Sequence, residues 1–97
     1  MLSVADRAVD TADLQQVSID IGNDWRSLGR QLSCSDADLD TLHCDFHVTG
    51  QREVAYQMLR GWHEKLGNDA RLTVLAKALV DIKRADVALK LQDAACA

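Results

Sequence analysis

Apolar side chains recur at helical spacing from Leu14 to Leu91, and nowhere does an apolar–polar alternation last long enough to make a strand. The repeat breaks at short intervals, and each break carries a helix signal. The first segment runs from Ala12 to Ile21, with Leu14, Val17 and Ile21 on one face, and Gly22 is its natural stop. Asp24 is placed to cap a second helix whose stripe is Trp25, Leu28 and Leu32. Ser35 with Asp38 three residues on is a variant of the capping box and starts a third, with Leu39 and Leu42 inward and Phe46 at the corner. The fourth is the longest, Gln51 to Leu66, with Ala55, Leu59, Trp62 and Leu66 in phase. Gly67 ends it, and Asn68 or Asp69 is expected to cap a fifth helix burying Leu72, Leu75, Leu79 and Ile82. A sixth carries Val87 and Leu91.

Six short amphipathic helices with short links predict an all-α, compact, antiparallel six-helix bundle. A chain of 97 residues fits one domain. The expected division is an N-terminal extension at 1–10, a domain at 11–94 and a tail at 95–97. The extension is expected to be a short extra turn or mobile, since its periodicity is weak. No internal repeat suggests a solenoid.

A net charge of −4 argues against nucleic-acid binding, which needs a basic face. A helix-turn-helix nucleic-acid binder, the alternative of similar size, would need a basic recognition helix, and no segment supplies one. No apolar run approaches membrane-spanning length, so no membrane insertion is expected. The first residues do not read as a secretory signal. Three cysteines, Cys34, Cys44 and Cys96, cannot all pair within one chain and read as reduced thiols in the cytoplasm.

Chemistry is hard to find. Trp25 and Trp62 are in phase with leucines and read as core. His43, Cys44 and His47, with Cys34, lack the paired spacing that holds zinc, so no metal is expected. Cys44 and His47 have no orienting third group, and no phosphate loop or serine elbow occurs, so neither catalysis nor a cofactor is expected. Charge is more informative. Residues 33–50 hold Asp36, Asp38, Asp40 and Asp45 without a Lys or Arg, a net of −4, whereas residues 71–97 carry +2. By itself this reads as ordinary solvated faces.

Ile21-Gly22-Asn23-Asp24-Trp25-Arg26-Ser27-Leu28-Gly29-Arg30-Gln31-Leu32 resembles the second-helix signature of death domains, in which I/V-G-x-x-W-x-x-L-A-R-x-L recurs. Ser35 to Asp40, Tyr56-Gln57-Met58-Leu59 with Trp62, Ala70 with Leu75, Ala78 and Leu79, and Arg84-Ala85-Asp86-Val87 resemble that family's later helices in order. The likeness extends from about Leu14 to Leu91 and is strongest to the death domains of Fas-associated adaptors and receptor-interacting kinases. Trp25 and the Tyr56-to-Trp62 pattern favour it over two other death-fold modules, the caspase-recruitment and death-effector domains. Three positions depart from it: Gly29 stands where alanine is usual, Gly61 lies mid-helix, and Arg71 stands where many members carry threonine. Each glycine costs about 1 kcal/mol of helix stability.

The resemblance implies a non-enzymatic interaction module of an intracellular adaptor. It would recruit receptor, adaptor or kinase death domains into an apoptotic or innate-immune signalling complex, with self-association possible. It also implies assembly through charged surfaces. The candidate contacts are Asp24, Arg26 and Arg30 beside the second helix, Asp36, Asp38 and Asp40 on the third, Arg52, Glu53 and Arg60 on the fourth, and Lys83 and Arg84 at the fifth-to-sixth turn. Reversing Asp38 or Arg84 is expected to block assembly while barely moving the melt.

Overall fold

The computed structural model describes the backbone of residues 7–96 and the side chains of residues 7–93. Six α-helices occur among them: α1 (Thr11–Ile21), α2 (Trp25–Gln31), α3 (Asp36–Phe46), α4 (Gln51–Leu66), α5 (Leu72–Asp81) and α6 (Ala85–Cys96). Single 3-10 turns at Gly22–Asp24, His47–Thr49 and Gly67–Asp69 join α1 to α2, α3 to α4 and α4 to α5. The anticipated helical bundle is therefore present. Helix α4 packs against α1, α3 and α2, and α5 lies on α6.

One core serves all six helices. Val17, Ile21, Leu28, Leu39, Leu59, Leu72, Leu75, Leu79 and Leu91 are fully buried, and Trp25 and Trp62 join them. Both tryptophans are thus core, as their phase with the leucines predicts. The stripe of α4 is Val54, Ala55, Met58, Leu59 and Trp62. Leu66, expected at its end, is instead exposed and lines a cleft beside α5. Leu42, Phe46 and Ile82 pack against the core only in part.

The caps differ from the sequence reading at three places. Ser35 Oγ does accept from the Asp38 N–H at 3.1 Å. The reciprocal capping box lies elsewhere, between Asp10 and Asp13 at the start of α1. Asp24 precedes α2 but makes no side-chain cap, since its carboxylate is turned to Arg84. Neither Asn68 nor Asp69 caps α5, because both belong to a 3-10 turn and Arg71 is the flanking residue. The first amide of α5, Leu72 N–H, donates to Arg7 O at 2.8 Å. Backbone from a distant segment thus satisfies a group that a side chain ordinarily satisfies.

That segment is the surprise of the N-terminus. Residues 1–6, the rest of the expected extension, lie outside the described residues. Residues 7–10 are neither helical nor loose. Ala8 bridges Arg71 in antiparallel fashion, Val9 N–H donates to Ala70 O at 2.8 Å, and the Val9 side chain is buried in the core. Arg7 grips Asp13 through two hydrogen bonds of 2.7 and 3.1 Å. Burial pushes the Asp13 carboxyl up, but the bonds from Arg7 and the Asp10 amide outweigh it and hold the group below the usual carboxylate range.

Two helices end on residues with positive φ that are not glycine, Ser33 at 71° and Lys83 at 65°. Each closes a left-handed cap. Cys34 N–H reaches Gly29 O at 2.9 Å behind α2, and Arg84 N–H reaches Leu79 O at 2.8 Å behind α5. The second cap aims Arg84 back across the bundle.

The two unusual helix glycines are not equivalent. A Cβ on Gly29 would stand 2.6 Å from a terminal methyl of Leu39, a side chain with no exposure, whereas a Cβ on Gly61 meets nothing within 4 Å. Gly29 is what lets α2 and α3 approach. Gly61→Ala is therefore expected to stabilise the domain by up to about 1 kcal/mol. Gly29→Ala should destabilise it by about 1 kcal/mol, since overpacking outweighs the helix-propensity gain. Urea unfolding of both variants checks this contrast, and equal gains would refute the close packing of Gly29 on Leu39.

Candidate interaction surface

The expected contact residues fall into four places. On the first, α2 and α3 form a two-rung ladder. Arg26 and Arg30 are one turn apart on α2, and Asp36 and Asp40 are one turn apart on α3. Arg26 Nη1 meets Asp40 Oδ1 at 2.9 Å, and Arg30 Nε meets Asp36 Oδ1 at 2.9 Å. Arg26 is also stacked over the Trp25 ring, 4.9 Å from its centroid. Both rungs are largely exposed, so each contributes little to stability. Their effect is to hold four ions in a fixed pattern at the surface.

The second place is the other side of α3. Asp38 lies between the two rung positions in sequence and so points away from them, on the same side as Asp45 seven residues on. Both are exposed, and neither has an ion-pair partner among the described residues. The acidic stretch is therefore split into two neutralised carboxylates and two free ones.

The third place is the outside of α4. Arg52 is exposed, Glu53 is half-buried and accepts from Gln57 at 2.7 Å, and Arg60 pairs with Glu64 at 3.1 Å along the helix. Among the described residues none of the three forms an ion pair or side-chain hydrogen bond with another expected contact residue. His43 and His47 stack at 5.1 Å, and His47 Nδ1 lies 2.9 Å from His43 O. Among the described residues no group of three His, Cys, Asp or Glu is placed to hold a metal.

The fourth place corrects the sequence reading. Arg84 was expected to form a free basic edge with Lys83. Lys83 is exposed and without an ion-pair partner among the described residues, but Arg84 is drawn inward. Its guanidinium donates to Ile21 O at 3.0 Å, Asp20 O at 2.8 Å and Asp24 Oδ2 at 2.8 Å. It also pairs with Asp86 at 3.2 Å. Hydrogen bonds from Asp86 and then Asp24 raise its pKa further, so it stays cationic. The two carbonyls are among those a helix leaves unpaired at its C-terminus, where the dipole favours a cation. Asp24 is thereby paired with Arg84 through Oδ2. Lys90 adds a second link to the same corner, 3.5 Å from Asp20. Sequence reasoning missed this clasp because its acceptors are backbone atoms more than sixty positions away.

Arg84→Glu, read from sequence as a silent surface change, should instead unfold readily. It removes bonds to α1 and Asp24 and sets a carboxylate against two carbonyls and two acids. Stability is expected to fall by about 2–3 kcal/mol. A urea midpoint shifted at constant slope would show it. A midpoint equal to wild type would refute the clasp.

Comparison with known proteins agrees with this architecture. The family model described as Death domain matches residues 11–95. The tumor necrosis factor receptor type 1-associated DEATH domain protein of Oncorhynchus mykiss is 34% identical over 93 residues, covering 91% of this chain and 32% of that protein. Its Danio rerio counterpart is 31% identical over 88 residues, covering 86% of this chain and 30% of that protein. The human receptor-interacting serine/threonine-protein kinase 1 is 29% identical over 75 residues, covering 76% of this chain and 11% of the kinase. The chain thus spans about a third of the length of the first two relatives. With six helices around one core, the signature from Ile21 to Leu32 in place and a match over most of its length, the chain belongs to the death domain family of protein-interaction modules.

Proposed function

We propose that this domain serves a cytoplasmic signalling adaptor as its recruiting module, docking stoichiometrically onto the death domain of a receptor, another adaptor or a kinase. The name of the trout and zebrafish relatives ties those proteins to tumor necrosis factor receptor type 1. A receptor of that kind is the partner proposed for this chain, and a receptor-interacting kinase is a second. The working unit is residues 11–94, with the 7–10 segment strapped to it and residues 95 and 96 continuing α6 where a tail was expected. The mechanism has no chemical step. Docking brings attached effectors close enough to act on one another, and many weak contacts add up in an assembly. Cys34 and Cys44 are free thiols, as suits a reducing compartment. No helix among the described residues is long and apolar enough to cross a membrane.

The observation that carries the reading is where unpartnered charge remains. Asp38 and Asp45 sit on one side of α3, and Lys77 and Lys83 sit on α5 and the turn after it. All four are exposed and without ion-pair partners among the described residues. α3 packs on α2 and α4, whereas α5 packs on α6 and α2, so the acidic and basic sets are carried by different helix pairs, with Lys65 of α4 lining the cleft beside Asp38. A domain charged oppositely on two faces docks head-to-tail with relatives charged the same way.

The test reverses one charge on each face, with Lys83 replacing Arg84 as the basic position. Asp38→Arg and Lys83→Glu are each assayed by co-precipitation with the death domain of the human receptor-interacting kinase. Binding by at least one variant is expected to fall on the order of tenfold or more, since like charges across an interface cost several kcal/mol. The melts should move by less than about 0.5 kcal/mol. Wild-type binding should weaken as salt rises, because screening acts beyond about 8–10 Å. Wild-type binding by both variants at low salt would contradict the proposed surfaces.

A further inference from the structure

Six large apolar side chains are exposed among the described residues, and four of them, Leu66, Val74, Val80 and Leu89, line the two clefts that flank α5. The cleft between α5 and α6 is the more apolar. Its floor is Ala76 and Ala88, both buried, and its rim is Val80 and Leu89, exposed by 52% and 60%. Short alanines below and branched side chains above make a concavity of about 400 Å³, open to solvent. Lys77 lines it, and Lys83 stands on the turn that joins its two walls, so its border is basic.

The same chain carries a projection of matching chemistry. Val48 is 87% exposed, the most exposed of the six, and sits at the centre of the His47–Thr49 turn. It lies in the acidic stretch 33–50, three residues after the unpaired Asp45. A branched apolar tip with one unpaired carboxylate, Asp45, three residues before it sits at one place, and an apolar cleft bordered by ammonium groups sits at another. The turn packs on α3 and α4, and the cleft belongs to α5 and α6, so one molecule cannot satisfy both from within.

We propose that Val48 of one copy inserts into the α5–α6 cleft of a second copy, with Asp45 against Lys77 or Lys83. This rests on the reading of the chain as an assembling module and names one of its contacts and the occupant. The contact is heterologous: each copy uses its projection on one neighbour and its cleft on another, so the series does not close after two. A single valine in an open cleft gives a weak contact that appears at high protein concentration.

Sedimentation equilibrium on the purified domain tests this with two uncharged substitutions, Val48→Ser and Val80→Ser. Both sites are exposed, so both variants should melt as wild type does, which circular dichroism verifies. Wild type should self-associate reversibly to species larger than dimers. Each variant alone should associate on the order of tenfold more weakly, the loss expected from one buried valine. The mixture is the decisive arm. The Val48→Ser copy keeps its cleft and the Val80→Ser copy keeps its projection, so together they should form one-to-one dimers at wild-type strength and nothing larger. A monomeric wild type, variants that associate like wild type, or a mixture with no recovery would each overturn the proposal. Binding to the human kinase death domain, measured in parallel, separates the two readings. If wild type binds the kinase domain and stays monomeric, this contact falls and the recruiting function stands. If it binds neither, both fall.

Discussion

Arg84 closes the bundle on itself. It comes from the left-handed cap that ends α5 and reaches the last carbonyls of α1, the carboxylate of Asp24 before α2, and Asp86 at the start of α6. The chain is thus tied at the point where α1, α2, α5 and α6 meet. The carbonyls that α1 leaves unpaired would otherwise need water or a side chain of their own. Hydrophobic burial supplies most of the favourable energy of the fold, but it is non-directional. The hydrogen bonds of Arg84 have direction, and they fix which way α6 leaves α5. At the opposite end of α5, the 7–10 strap does similar work through Leu72 N–H and Arg7 O.

This division decides which charges remain for partners. Arg84, Asp24 and Asp86 are held by one another. Arg26, Arg30, Asp36 and Asp40 form a surface ladder whose rungs are too exposed to matter much for stability. Asp38, Asp45, Lys77 and Lys83 are bound to no opposite charge among the described residues. A net charge read from the sequence cannot make this distinction, because it counts a paired arginine and a free lysine alike. The structure sorts them by distance.

Much of the fold was legible in the sequence because it follows from local rules. Helical period, the glycines at 22 and 67 and the serine at 35 placed five of the six helices closely, and both tryptophans lay in the core as their spacing required. What was not legible depended on contacts distant in the chain. The missing cap of α5 is supplied by Arg7, Val9 owes its burial to pairing with residue 70, and Gly29 is explained by Leu39. Arg84 is the clearest case. By sequence it stands beside Lys83 as a second cation on a turn, and only the approach of α1 makes it structural. The charged residues of the candidate surface could be named from the sequence, while which of them are paired within the domain required the geometry.

The most direct measurement of this account is a double-mutant cycle on unfolding free energy. One cycle combines Arg84→Ala with Asp24→Ala, and a reference cycle combines Arg30→Ala with Asp36→Ala. The account predicts a coupling of roughly 1 kcal/mol for the first pair, within the usual range for interacting side chains, and close to zero for the second. A first cycle with no coupling, or one no larger than the reference, would contradict the claim that Arg84 holds the bundle together and that the α2–α3 ladder does not.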